Sequence, residues 1–511
     1  HSHSVQGSIP RYSTREFQRH IASMTTQWQT HDGRADMTNF EMDLFDTRMH
    51  PVKTVKDEDD ACCSGSNSRK SVVKPACLPI TIVSILIIAL VFLPLFKDED
   101  LEAPFKMTLS TICGEDCSLT LVESIPDGVS FPSGPTHADT AETWIKIIEE
   151  TEEVLDIAAL YWNLSDDERH PSSAKGALVL EALVAAGKRG VRIRVAQSPP
   201  SDGNATYADT ERLRVEGNAE VRNVNMSRLM GSGVLHTKFI ISDMKRIYVG
   251  SANMDWKSLT EVKELGVYVG ECACVATDLY RIFSVYWRLG EEDSRIPDKW
   301  PISYRTPYNF ANRMPITLNR EIMGRLFISS SPPPFNPKGR EDDLAAIVAL
   351  IGGANKTVSV AVMDFIPTTL YMKNNSFWPD LDIALRDAAY RGVAVRLLVS
   401  KWDHSKKAAI PFLKSMLAIN EGLPYRNGTR GSISIRVFTV PATPEKIPFT
   451  RVNHNKYMVA DNTAYIGTSN WAGDYFLTTA GVGFALDSAA IAAQLQQVYD
   501  RDWTSKYAAD L

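Results

Sequence analysis

An eight-residue pattern, histidine-x-lysine-x-x-x-x-aspartate, occurs twice in this chain, at His236, Lys238, Asp243 and at His454, Lys456, Asp461. Each copy lies in a longer matching stretch. Gly233-Val-Leu-His-Thr-Lys-Phe-Ile-Ile-Ser-Asp leads into Ile247-Tyr-Val-Gly-Ser-Ala-Asn, and Arg451-Val-Asn-His-Asn-Lys-Tyr-Met-Val-Ala-Asp leads into Ala464-Tyr-Ile-Gly-Thr-Ser-Asn. The segments upstream match too. Ala182–Gln197 and Ala384–Val399 each read as a helix stopped at a glycine and followed by a buried, β-branched strand. Earlier still, Trp144–Leu160 and Leu344–Met363 both run from an amphipathic helix into a strand. A repeat on this scale marks a duplicated unit. Helices alternating with strands predict an α/β fold: two homologous halves with mainly parallel sheets, packed about a pseudo-twofold axis near the two motifs. The Pro-rich Ser329-Ser-Ser-Pro-Pro-Pro stretch opens the second half, which gives halves of 119–310 and 311–511.

The repeated residues carry a definite chemistry. On a strand, the period of two puts histidine and lysine on one face, so joining the copies gives a pocket with two imidazoles and two ammonium groups. A lone histidine-x-lysine is more often an ordinary surface strand. With only ten histidines in the chain, two full copies, each followed by Gly-(Ser/Thr)-x-Asn, favour a site. One imidazole can attack phosphorus to give a phosphohistidine, while the other protonates the leaving oxygen and later activates water. The lysines would stabilise the non-bridging oxygens, and the amides of Asn253 and Asn470 would donate to the same oxygens. Asp243 and Asp461 follow their strands and suit a catalytic or a structural role equally. The halves differ at Glu264, because the second half has Thr479-Ala-Gly-Val-Gly there, without a carboxylate. A carboxylate on one ring nitrogen fixes a histidine's tautomer, and on this ground we expect His236 to be the nucleophile and His454 the acid/base. Core packing is the expected role of Trp162, Trp256, Trp471 and Tyr475 ahead of base or lipid stacking. Glu341-Asp-Asp reads as a helix cap. No metal constellation and no cofactor motif is found.

The rest of the chain places this domain. Residues 1–74 are polar and without periodicity, and read as a disordered tail. Residues 75–96 carry no charge, the length of a membrane-spanning helix. Arg69, Lys70 and Lys74 precede the run, and Asp98, Glu99 and Asp100 follow it. We therefore expect a single-pass type II anchor with a cytoplasmic tail, a stalk at 97–118 and a lumenal domain beyond. Sequons at Asn163, Asn204, Asn225, Asn355, Asn374 and Asn427 all fall on the lumenal side. There too lie two close cysteine pairs, Cys113/Cys117 and Cys272/Cys274, which suit disulfides in an oxidising lumen better than a zinc site. The formal net charge of −6 argues against bulk electrostatic capture of nucleic acid but leaves room for a local basic pocket.

The doubled motif resembles that of the phospholipase D superfamily, over roughly residues 110–511. The segments Leu121-Val-Glu-Ser-Ile-Pro, Gly233-Val-Leu-His-Thr-Lys-Phe, Val262-Lys-Glu-Leu-Gly and Tyr465-Ile-Gly-Thr-Ser-Asn-Trp look closer still to its transmembrane branch, typified by phospholipase D family members three and four. The resemblance implies a glycosylated type II protein that passes through endoplasmic reticulum and Golgi to late endosomes and lysosomes. It implies a five-prime exonuclease on single-stranded DNA and RNA, with phospholipid hydrolysis or transfer, including bis(monoacylglycero)phosphate synthesis, as the alternative. Its implied partners are single-stranded nucleic acid, then phospholipid, with a homodimer as a candidate assembly. Its implied disulfides are Cys113–Cys274 and Cys117–Cys272. A further disulfide of the branch is missing here, with Ser400 in the place of one cysteine.

Overall fold

The computed structural model describes residues 117–511, apart from 166–169, 202, 204–205 and 427. The expected tail, the span at 75–96 and nearly all of the stalk lie outside the described residues. Among the described residues no helix is long and apolar enough to cross a membrane.

Each half builds its sheet in the same order. In the first, Ser118–Ser124 pairs with Glu264–Gly270, followed by Arg246–Gly250, Phe239–Ser242, Val154–Ala159, Arg192–Gln197 and Glu220–Asn223. In the second the order is Ile322–Ser331, Gly481–Asp487, Thr463–Gly467, Lys456–Ala460, Thr357–Val362, Ala394–Ser400 and Ser432–Phe438. The duplication read from the sequence is therefore complete at the level of topology. The expectation of mainly parallel sheets needs correction, because both sheets are mixed. Among these seven strands pairing is antiparallel from Ser118–Ser124 as far as Val154–Ala159 and parallel beyond it, and the second sheet repeats this. The reason is local. The motif strand and its Gly-(Ser/Thr)-x-Asn return are joined by a tight turn, and strands joined that way can pair only antiparallel. The helical crossovers, which make parallel pairs, occupy just the other side of each sheet.

The helices begin and end where the chain chemistry dictates. Asp139 caps Thr140–Glu149 by accepting from the Glu142 amide at 3.1 Å, and Asp342 caps Asp343–Gly353 by accepting from the Ala345 amide at 3.2 Å. The helix Asp380–Arg391 stops at Gly392, whose φ of +107° suits glycine. Alternating residues of each strand face different cores. Ile240 packs with the helices Thr140–Glu149 and Ala174–Lys188, while Phe239 and Ile241 face inward. Met458 and Tyr457 divide in the same way in the second half. The inner core is shared by both sheets and by the helices Ala273–Leu289 and Ala489–Thr504. The two halves are thus joined by apolar burial, the dominant favourable contribution to folding.

Cys117 and Cys272 are disulfide-bonded, and Cys274 is also in a disulfide. Its expected partner, Cys113, lies outside the described residues. The close grouping of Cys117, Cys272 and Cys274 is thereby accounted for by disulfides, not by a zinc site. Of the sequons, Asn225, Asn355 and Asn374 are exposed, while Asn163 is half-buried with its amide 3.4 Å from Asp255. Asn204 and Asn427 lie outside the described residues.

Candidate active site

The two motifs meet through their backbones. The His236 amide donates to the Ala480 carbonyl at 2.8 Å, and the Ala480 amide returns to Val234 at 2.9 Å. In the mirror arrangement the His454 amide donates to Lys263 at 2.8 Å, and the Lys263 amide to Val452 at 2.9 Å. Each histidine is therefore tied to the opposite half at the residue just before that half's last central strand. Entry into each motif is left-handed, with φ of +88° at Gly233 and +60° at Arg451. At Gly233 a Cβ would come within 2.2 Å of the Thr478 carbonyl oxygen, so only glycine fits. Arg451 is held in the less favourable conformation by its guanidinium, which reaches Glu261 at 3.2 Å and the Asp127 carbonyl at 3.0 Å.

His236, Lys238, His454 and Lys456 are all buried. Each lysine folds back on its own motif: Lys238 Nζ donates to the His236 carbonyl at 2.9 Å and Lys456 Nζ to the His454 carbonyl at 2.7 Å. The strand expected to carry each pair starts later than the sequence suggested: His236 and Lys238 precede Phe239–Ser242, and His454 precedes Lys456–Ala460, so each ammonium group is set by its bond to its own histidine's carbonyl and not by strand alternation. Ser251 closes its turn by accepting from the Leu265 amide at 3.0 Å, and Thr468 does so from Val482 at 2.9 Å. The amide of Asn470 donates to the Tyr475 hydroxyl at 3.2 Å, and that of Asn253 lies 3.5 Å from the Tyr161 hydroxyl.

The symmetry breaks at Glu264, and it breaks across the halves. Both carboxylate oxygens lie 2.9–3.0 Å from His454 Nδ1. The expectation that assigned the carboxylate-held ring to His236 is corrected: the held ring is His454. Burial alone would push the Glu264 carboxyl up. The attraction and hydrogen bond of His454, with the charge of Lys456, outweigh burial and hold it below the usual carboxylate range. An ionised carboxylate at Nδ1 requires the proton on that nitrogen, leaving the Nε2 lone pair as the reacting position. The equivalent position in the second half is Gly481, where a Cβ would sit 2.3 Å from Ser469 Oγ. His236 instead packs against the edge of Tyr475, with ring centroids 5.0 Å apart.

Behind Glu264 lies a group that sequence reasoning missed. Lys263 is fully buried, with Nζ 2.8 Å from Asp502 and 3.5 Å from Glu123, and Arg501 bridges Glu123 at 2.6 Å and Asp502 at 3.0 Å. This four-charge network spans both halves and fixes the residue whose carbonyl holds the His454 amide. Breaking such a buried pair costs on the order of 3–5 kcal/mol. The signal in the sequence was a charged pair, Lys263-Glu264, at the entry to an otherwise apolar strand.

Asp243 and Asp461 are corrected from candidate catalytic residues to structural ones. Asp243 accepts from the amides of Glu152, Glu153 and Val154 at 2.8–2.9 Å. Asp461 accepts from Asn355, Lys356 and Thr357 at 2.7–3.0 Å. Both sit in left-handed turns beyond their motif strands and fasten the start of the neighbouring strand. Trp162, Trp256 and Trp471 are buried core residues. Tyr475 is buried as well, but serves the site through His236 and Asn470. Ser400 Oγ donates to the Asn453 carbonyl, one residue from His454.

Two histidine–lysine pairs brought together by duplicated α/β halves define a phosphodiesterase of the phospholipase D superfamily. The chain belongs to the PLD3/4-type PLD-like domain family, whose model matches residues 133–443. It is similar to a Caenorhabditis elegans protein named as a probable phospholipase D, with 56% identity over 503 residues, covering 94% of this chain and 89% of that protein. It is also similar to the human 5'-3' exonuclease PLD3, with 43% identity over 409 residues, covering 78% and 82% of the two chains. The Xenopus laevis 5'-3' exonuclease PLD3 matches with 43% identity, covering 77% and 81%.

Proposed function

We propose that this protein is a 5'-to-3' exonuclease on single-stranded DNA and RNA, acting through a phosphohistidine on His454. The observation that carries the assignment is the Glu264–His454 contact, because a carboxylate on Nδ1 keeps the proton there and makes Nε2 the attacking nitrogen. Nε2 of His454 attacks the phosphorus of a strand phosphate, and the bond to the leaving oxygen breaks. Protonated His236 gives its proton to that oxygen, then takes one from water as the water splits the phosphoramidate and restores His454. Lys238 and Lys456 hold the charge that gathers on the non-bridging oxygens. The nucleic-acid substrate is supported by the PLD3 relatives named as 5'-3' exonucleases.

The working place we propose is an acidic endolysosomal lumen, with residues 75–96 as a type II anchor. The disulfide at Cys117–Cys272 supports an oxidising compartment, and a low pH suits a general acid that must start protonated. A phospholipid substrate is the second reading, favoured by the name of the C. elegans relative. A lipid alcohol would then replace water in the second step.

The test is to incubate the full chain near pH 5 with single-stranded oligonucleotides whose 5' ends are free or blocked, alongside phosphatidylglycerol vesicles. Stepwise release of mononucleotides from the free end alone, lost in His454→Ala, is the expected result. Turnover of the lipid with the oligonucleotides left intact would overturn it.

A further inference from the structure

The loop that follows the strand Ala394–Ser400 reaches the surroundings of both histidines. Trp402 packs on Met363, Val262 and Val452, and Val452 lies two residues from His454. The Met363 amide donates to the Asn455 carbonyl at 3.1 Å, on the far side of the same histidine. At its other end, Lys406 Nζ lies 5.5 Å from the Tyr371 ring centre. Tyr371 meets Tyr475 edge-on at 6.3 Å, and Tyr475 meets His236 at 5.0 Å.

Between these ends stands a run of rings. His404 lies edge-on to Trp402 with centroids 4.8 Å apart, and stacks on Phe449 at 4.7 Å and 25°. All three are half-exposed. Phe449 is a non-glycine residue at φ +62°, a conformation sparsely populated for aromatic residues and found mostly where surrounding contacts impose it. Those contacts are present: Asp403 pairs with Lys446 at 2.8 Å, Glu445 with His170 at 3.2 Å, and Arg451 with the first half. The loop also carries Lys401, Lys406 and Lys407 against the single acid Asp403, a local positive balance on a chain whose formal net charge is −6.

Half-exposed stacked rings among cations, one layer from a phosphate-cleaving pair, are what an unpaired nucleobase recognises. We propose that Trp402, His404 and Phe449 form a stacking shelf for a base of the substrate strand, adjacent to the nucleotide whose phosphate is cut at His454. This rests on the exonuclease reading above and adds the residues that grip the strand.

The experiment uses the full chain and three substrates: a single-stranded oligonucleotide, an abasic strand of the same length, and bis(p-nitrophenyl) phosphate. In Trp402→Ala the KM for the base-bearing strand should rise about tenfold, the scale of one lost base stack, and His404→Ala should raise it several-fold. The KM for the abasic strand should rise far less, and Trp402→Phe should recover most of the loss. Equal losses on base-bearing and abasic strands would overturn the shelf, since they would mean that Trp402 acts only by supporting Val452 and His454. An unchanged KM for the base-bearing strand would overturn it as well. Wild-type protein that cleaves the small diester but neither strand would remove the exonuclease reading, and the shelf with it. Wild-type protein that degrades the oligonucleotide while the variants keep its KM would remove the shelf alone.

Discussion

Glu264 of the first half grips Nδ1 of His454 of the second, with both carboxylate oxygens within 3.0 Å. The mirror-related position is Gly481, where a Cβ would meet Ser469 Oγ at 2.3 Å. A nearly symmetric pair of half-sites thereby becomes unequal: His454 is held by a carboxylate of the opposite half, while His236 meets the Tyr475 ring at 5.0 Å.

Replacing Glu264 by Gln removes the charge and offers Nδ1 either an accepting oxygen or a donating NH2, so the proton is no longer fixed on that nitrogen. The expected result is a fall in kcat on bis(p-nitrophenyl) phosphate of roughly 10²- to 10⁴-fold, the range seen when a histidine's orienting carboxylate is neutralised. The pH dependence follows from the sign of the shift. The Glu264 carboxyl is held low in the folded protein, so its contact with His454 is intact above the ordinary carboxyl range and is lost only as pH falls through the depressed value. A wild-type pH–rate profile should show this pair still intact as pH falls through the ordinary glutamate range.

The roles of the two histidines are separable by trapping. His236→Ala removes the acid of the first step and the base of the second; with bis(p-nitrophenyl) phosphate, whose leaving group needs no acid, the phosphoryl adduct should accumulate on His454 and appear as a mass increase that acid removes. In His454→Ala no such species should form. A trapped phosphate on His236 instead would reverse the assignment.

Asp243 and Asp461 each accept three backbone amides, a contribution to the fold. Asp243→Asn keeps one acceptor oxygen and turns an amide toward donors. It should lower stability by about 1–3 kcal/mol, read as a drop in the denaturation midpoint, while kcat per folded molecule changes much less than in Glu264→Gln. A kcat loss matching that of Glu264→Gln at unchanged stability would return Asp243 to the chemistry.

Asp343 is buried, accepts from Ser329 at 2.7 Å and Tyr465 at 2.8 Å, and is pushed up to about 6 by burial. A carboxyl whose folded pKa is raised binds its proton more tightly when folded, so its contribution is full below the unfolded value and is lost as pH rises from about 4 to about 6. Thermal unfolding should therefore show the wild type losing stability between pH 4 and pH 7. Asp343→Asn, which can still accept from both hydroxyls, should flatten that dependence, and an unchanged slope would show that Asp343 does not set it.

Much of the fold was legible because duplication leaves a periodic trace. The helix stop at Gly392, the motif strands and the cap at Asp342 each follow from a local rule acting over a few residues. The mixed character of the sheets was not read, because the sequence shows a tight turn and a helical crossover but not which strands become neighbours. Asp243 shows the same limit. Its place in the motif was plain, but the three amides it binds lie about ninety positions earlier in the chain.

The sequence by itself determined the two histidines and two lysines, their spacing, the duplicated α/β frame and the presence of one unmatched carboxylate. All of these are matters of residue type and short-range spacing. Only the tertiary structure decided which histidine that carboxylate serves. The choice depends on the backbone bridges His236–Ala480 and His454–Lys263 and on the buried charges behind Lys263. Those contacts join residues some 190 to 250 positions apart, and their geometry exists only once the two halves have buried their common core.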